Sequence, residues 1–248
     1  ALSFPEPGVV LLGPNGQGKT SLLEAIAYPV LFRSFRTALD AEVVRFTEAG
    51  FHVGLEFVRD DREREVAVTF RLAGRKKQLS LDGGAAARVV DAAGTWQAVV
   101  FAPDDVRLAS GAANGRRLYL DRTLALADPA YFRALARYRA ALKQRNAALR
   151  LGRAELAAAF DGPLAQAGAL VVGRRLRWVA SIGTAYRASL LALGEHGTEA
   201  TLEYAGSVEL AEVTAWPERL ARAAPQDLAR RMTTIGPHRD DLSLLLGG

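Results

Sequence analysis

Hydrophobic positions change their period along the chain, and each change marks an element. Gly8-Val9-Val10-Leu11-Leu12 is a β-branched and aliphatic run that closes on glycine, which predicts a buried strand, and Thr20 to Tyr28 is made mostly of good helix formers. The opening stretch therefore reads strand, glycine loop, helix. From Phe51 to about Leu81 the period becomes two: Phe51, Val53, Leu55 and Phe57 share one face, and Val66, Val68 and Phe70 follow a charged turn from Arg59 to Glu65. Leu79 and Leu81 carry the pattern to the turn at Asp82-Gly83-Gly84, so this region predicts an antiparallel meander with a structural role.

Helical spacing takes over further on. Leu135, Leu142 and Leu149 recur every seven residues, with Phe132 and Tyr138 beside them and Arg133, Arg137, Arg139, Lys143 and Arg150 pointing elsewhere. Pro163 to Leu193 predicts a second helix of about 30 residues, roughly 45 Å if continuous, with proline in its first turn. Gly168, Gly173 and Gly183 argue that it is interrupted. Together the two stretches predict a projecting helical hairpin. Beyond Gly197 the pattern gives a short strand from Ala200 to Tyr204, a helix near Trp216 to Arg231 and a strand from Leu242 to Leu246. The organisation that follows is a first part at residues 1–115, a helical arm at 116–197 and a return at 198–248.

Composition narrows the class. With 248 residues, half of them hydrophobic and 24% charged, the chain can bury a core as one large domain or a domain carrying an insertion. It has no cysteine, and His52, His196 and His238 are scattered, so neither a disulfide framework nor a thiolate zinc site is expected. No apolar run approaches a membrane helix and the first eight residues lack the regions of a signal peptide; a cytoplasmic protein with no membrane partner is expected. The net charge of +5 is unevenly spread: residues 116–187 hold 14 basic against 4 acidic side chains, while the segments before and after carry a slight acidic excess. A basic arm in such a frame points to a polyanion, most simply nucleic acid, although charged helix faces are often merely solvated.

The specific chemistry lies in Gly13-Pro14-Asn15-Gly16-Gln17-Gly18-Lys19-Thr20, followed by Ser21, which fits G-x-x-x-x-G-K-[ST] between a predicted strand and a predicted helix. Glycines let backbone N–H groups close around phosphate oxygens, and the helix start adds its positive dipole end. Lys19 supplies a mobile charge for the phosphates and the Thr20 hydroxyl a ligand for Mg²⁺. A purine nucleotide with Mg²⁺ is the expected cofactor, and the loop alone does not distinguish a kinase, a transporter ATPase, a helicase or a switch. Hydrolysis would also need a magnesium-holding Asp after an apolar strand; Val99-Val100-Phe101-Ala102-Pro103-Asp104-Asp105 fits poorly, because Pro103 ends the strand before the carboxylates, and reads better as a loop start. His238, between Pro237 and Arg239, reads as structural or interfacial, and Asp240 and Asp241 as acceptors for backbone or arginine donors.

Several blocks together carry a family resemblance. The phosphate loop with Ser21-Leu22-Leu23-Glu24-Ala25-Ile26 comes first, followed by Phe32-Arg33-Ser34-Phe35-Arg36-Thr37 and Val44-Arg45-Phe46. Phe101 to Asp105 then precedes Arg116-Arg117-Leu118-Tyr119-Leu120-Asp121, and Gln144-Arg145-Asn146 and Thr233-Thr234-Ile235-Gly236-Pro237-His238-Arg239-Asp240-Asp241-Leu242 complete the set. In order and spacing they resemble the RecF recombination-mediator family, a branch of the ABC-type ATPases related to chromosome-maintenance heads. The last two blocks are the most characteristic, and the likeness covers essentially the whole chain.

The resemblance implies an α/β fold: a P-loop NTPase head of ABC-ATPase type with an antiparallel β meander and an inserted helical arm. It also implies an ATP-dependent DNA-binding protein of replication and recombinational repair, acting on single-stranded, gapped or duplex DNA with RecO and RecR. ATP drives two heads into a homodimer that helps load recombinase at gaps and stalled forks. Family members begin with a strand upstream of the position of Ala1 and carry a Ser-x-Gly-Gln signature and a Leu-Leu-Leu-Asp-Asp carboxylate strand beyond that of Gly248. The chain therefore reads as part of a longer protein, with weak DNA-stimulated ATPase expected of the whole and none of this part. Ala112-Ala113-Asn114-Gly115 replaces the family's usual Ser-Pro pair. Arg116, Arg117, Arg137, Lys143, Arg145 and Arg239 are the DNA or interface candidates. Two readings stay open beside this one: an ATP-responsive DNA clamp that does not hydrolyse, and another P-loop phosphoryl transferase, against which the antiparallel meander argues.

Overall fold

The computed structural model describes residues 2–5, 8–37, 39–87, 89–92, 94–194 and 200–246; His196 and the boundary at 197 fall outside them. The chain forms two compact units, Ala1–Val100 and Phe101–Gly248.

In the first unit, helix α1 (Lys19–Leu31) precedes four strands, β1 (Gly50–Arg59), β2 (Arg62–Arg71), β3 (Lys76–Leu81) and β4 (Gly84–Ala86), and a short helix α2 (Val89–Ala92). The strands form an antiparallel sheet in the order β1-β2-β3-β4. The expected charged turn is shorter than its composition suggests. Arg59 pairs with Arg62, leaving only Asp60 and Asp61, both with positive φ (52° and 57°), the tight hairpin geometry whose twist matches that of paired strands. Asp82 and Gly83 repeat it between β3 and β4, and the Asp82 carboxylate is held by Arg64 and the Glu65 N–H. Val66, Val68 and Leu79 of the sheet bury against Tyr28 and Phe32 at the end of α1, with Phe51, Leu55 and Phe57 alongside. The period-two pattern thus serves the face that α1 covers.

Residues 8–12 are a correction to the sequence reading. They form no strand, and Val10 and Leu12 are 81% and 89% exposed. A β-branched run becomes a strand only when a neighbour takes its backbone N–H and C=O groups, and no described strand pairs with this one. Val99 and Phe101 are exposed for the same reason, so the region before Asp104 is loop.

The second unit is mainly helical. Short α3 (Arg107–Ser110) leads into α4 (Ala113–Ala127), α5 (Pro129–Arg150), α6 (Ala154–Ala158) and α7 (Asp161–Ala192); β5 (Ala200–Ala205), α8 (Trp216–Arg230) and β6 (Asp241–Leu246) follow, with β5 and β6 antiparallel. Asp128 caps α5, its carboxylate accepting the Ala130 N–H at 2.8 Å, and Pro129 takes the first position, where a missing N–H costs nothing. Helix α7 runs unbroken for 32 residues in spite of its glycines. Tertiary packing explains this at Gly168, where the fully buried Trp216 ring occupies the place of a side chain. The core joins Leu120, Tyr131, Leu135, Tyr138, Leu164, Val171, Val172, Leu210, Trp216 and Leu220. No helix among the described residues is long and apolar enough to cross a membrane.

Candidate functional site

The phosphate loop leads directly into α1. Gly16 and Gly18 adopt φ of 82° and 85°, a left-handed geometry costly for residues with a Cβ, and Gly18 takes the cap position with no side chain bonded to the helix N–H groups. The first N–H groups of α1 thus carry the partial positive charge that suits an anion. The loop, Gly13 to Gly18, is exposed, as are Thr20 and Ser21. Lys19 donates from Nζ to the carbonyls of Gly13 and Pro14, both at 2.6 Å, so its ammonium closes the loop upon itself. These donors fit the phosphates of a nucleotide. Behind the loop, Glu24 is buried on α1 and accepts hydrogen bonds from the Ser34 hydroxyl and, at 3.1 Å, from Arg36. The Phe32-to-Thr37 block thereby fixes the helix that carries the loop.

In the second unit the characteristic sequence blocks turn out to be each other's partners. Asn146 accepts from both the N–H and the hydroxyl of Thr233, each at 2.7 Å, and Arg145 donates to the Thr233 hydroxyl at 2.8 Å. Arg145 is 3% exposed and also binds Asp161 (2.7 Å) and the fully buried Asp227 (2.6 Å). Burial pulls its pKa down, but the two carboxylates outweigh that and hold it charged. Arg116 grips Asp241 with two bonds of 2.9 and 2.7 Å and also donates to the carbonyls of Leu108 and Gly111. The Asp241 carboxyl is correspondingly held below the usual range by that guanidinium. Arg117 donates to the Asp240 carbonyl at 2.8 Å. Arg239 is exposed, and its guanidinium donates to the Met232 sulfur at 2.8 Å and to the Thr233 carbonyl at 3.3 Å. Arg137 and Lys143 are exposed on α5 and have no ionic or hydrogen-bonding partner among the described residues.

His238 accepts from the Tyr138 hydroxyl at Nδ1 (2.6 Å) and donates from Nε2 to the Thr233 carbonyl (3.0 Å), an arrangement that requires the neutral ring. Burial lowers its pKa to about 4. Asp105 accepts the Ala102 N–H at 2.7 Å and Asp104 lies 3.5 Å from Arg107, so both act locally at a single turn of helix. The sequence reading missed a buried charge cluster: Arg175, 2% exposed, donates to Asp121, to Tyr131 and to the Pro237 carbonyl, and Asp121 also takes Arg139. Its signal was an arginine, Arg175, set one helical turn beyond Val171 and Val172 and so on the same buried helix face.

No protein-family model matches the chain. The DNA replication and repair protein RecF of Anaeromyxobacter dehalogenans (strain 2CP-C) is 42% identical over 98% of this chain and 68% of its own length. That of Myxococcus xanthus (strain DK1622) is 34% identical over 96% of this chain and 66% of its own. A solved structure described as the recombination mediator protein RecF-ATPrS in the RecFOR pathway superposes with a TM-score of 0.87 at 27% identity, over 95% of this chain and 66% of that one. The chain thus spans about two thirds of the length of these relatives. The fold is the mixed α/β one of the RecF ATPase, with its antiparallel sheet and helices. Likeness of sequence over nearly the whole chain and likeness of fold lead to the same conclusion: the chain belongs to the RecF family of DNA replication and repair proteins.

Proposed function

We propose that this chain forms the ATP-binding and DNA-binding part of a recombination mediator in DNA replication and repair. It acts with RecO and RecR in the cytoplasm and helps load recombinase through an ATP-dependent homodimer. In this reading residues 1–115 and 198–248 belong to the head and 116–197 to its arm. The observation that carries the proposal is the loop from Gly13 to Thr20, whose left-handed glycines open the N-terminus of α1 to an anion.

Bound ATP with Mg²⁺ supplies the negative charge that the loop is built to neutralise. The backbone N–H groups at the start of α1 would orient the phosphates, Lys19, now on the Gly13 and Pro14 carbonyls, would donate to phosphate oxygens, and the Thr20 hydroxyl would hold the metal. The exposed basic residues of the arm meet the DNA backbone.

The test is equilibrium binding of a fluorescent ATP analogue to the 248-residue chain with and without Mg²⁺. Saturable binding lost in Lys19→Ala, with unchanged circular dichroism, is expected. Binding that survives the substitution would remove the loop from the proposal.

A further inference from the structure

Resting on the DNA-binding reading above, we infer that the outer face of α5 is a track for the phosphate backbone, formed by Arg133, Arg137, Lys143 and Arg150. Helix α5 holds six basic residues and no acidic one. Two already have carboxylate partners: the buried Arg145 pairs with Asp161 and Asp227, and Arg139, itself exposed, pairs with Asp121. The other four are exposed and have no ionic or hydrogen-bonding partner among the described residues. At about 100° per residue they fall within an outward arc of roughly 140°, opposite the buried stripe of Tyr131, Leu135, Tyr138 and Leu149. Ala136, Ala140 and the uncharged Gln144, also exposed, lie between them, so no carboxylate stands between the charges and a partner pressed along the helix.

Helix α8 treats two of its three arginines differently. There Arg222 pairs with Glu218 one turn earlier at 2.6 Å, and Arg219 lies 3.2 Å from Glu209. Helix α5 offers its exposed cations no such carboxylate. From Arg133 to Arg150 the track covers about 26 Å at 1.5 Å per residue, the rise of seven to eight phosphates along one strand at about 3.4 Å each. Isolated cations spaced along a straight rod match a regularly charged polymer, and they carry no base-reading geometry, so contact would be independent of sequence. Arg116, Arg117 and Arg145 drop out as contacts, because their guanidinium groups already hold Asp241, the Asp240 carbonyl and the Asp161–Asp227 pair.

The test measures fluorescence anisotropy of a labelled 30-base-pair duplex across a series of KCl concentrations. The variants are Arg133→Gln, Arg137→Gln, Lys143→Gln and Arg150→Gln combined, and a control with Arg62→Gln, Arg71→Gln, Arg75→Gln and Lys76→Gln, which removes equal exposed charge from the first unit. Each lost phosphate contact lowers the log–log salt slope by about 0.9, so the α5 variant should lose about 3.6 while the control stays near the unmodified chain. A version with lysine at 133, 137 and 150 should keep the slope. An unmodified chain with no salt-dependent binding overturns the DNA-binding reading itself. Steep binding in the unmodified chain with an unchanged α5 variant, or an equal loss in the control, overturns the track alone.

Discussion

Two glycines of one helix should answer the same substitution with opposite sign. In α7, a Cβ added at Gly168 would lie 2.3 and 2.4 Å from the Cζ2 and Cη2 carbons of Trp216 and 3.2 Å from a Tyr138 ring carbon. Optimal carbon contacts are about 3.5–4.0 Å, so the ring would have to retreat by more than about 1 Å. It has nowhere to go: Trp216 is fully buried and its Nε1–H donates to the Leu210 carbonyl at 2.9 Å. Overpacking of this kind costs about 1–3 kcal/mol, while replacing glycine by alanine in a helix gains up to about 1 kcal/mol. Gly168→Ala should therefore lose about 1–2 kcal/mol net. At Gly183, nothing lies within 4 Å of the added carbon, so Gly183→Ala keeps the helical gain. The assay is urea unfolding followed by circular dichroism at 222 nm. With a slope near 3 kcal/mol/M, the expected midpoint shifts are about 0.5 M down and about 0.3 M up. A Gly168→Ala midpoint that rises with that of Gly183→Ala would refute the packing argument.

Other outcomes follow from the buried polar groups. Arg145→Ala strands the fully buried Asp227 carboxylate and should cost about 3–5 kcal/mol in the same urea assay, yet leave the salt slope of DNA binding unchanged under conditions where the variant is folded. His238 titrates near 4 in the folded chain against about 6.5 unfolded, so the unfolded state binds the extra proton between those values. The stability from the neutral ring is complete above about pH 6.5 and fades as the pH falls towards 4, by roughly 3 kcal/mol; His238→Gln should flatten the urea midpoint across that window. Gly206→Ala should destabilise the β5–β6 end of the second unit, since its Cβ would meet the Asp240 carboxyl carbon at 2.4 Å; a thermal midpoint equal to that of the unmodified chain would contradict this.

Local rules decided what depends on nearest neighbours. The alternation from Phe51 to Leu81 fixed the meander because a strand's face is set by every second residue, and the seven-residue leucine spacing fixed the buried stripe of α5. The phosphate loop was legible because its glycines and Lys19 act through their own backbone and their own helix. Tertiary structure decided the rest. Gly8 to Leu12 has the composition of a strand but no ladder partner, and pairing is not a property of the run itself. The interruption expected in α7 at Gly168 did not occur because Trp216, 48 residues away in the chain, fills the space that glycine leaves. Arg137 and Arg145 are the same residue type on the same helix, separated by only two turns or so. One is exposed and the other is closed in by Asp161, Asp227 and Thr233, because a side chain's charge is spent or kept according to carboxylates that only the fold brings near.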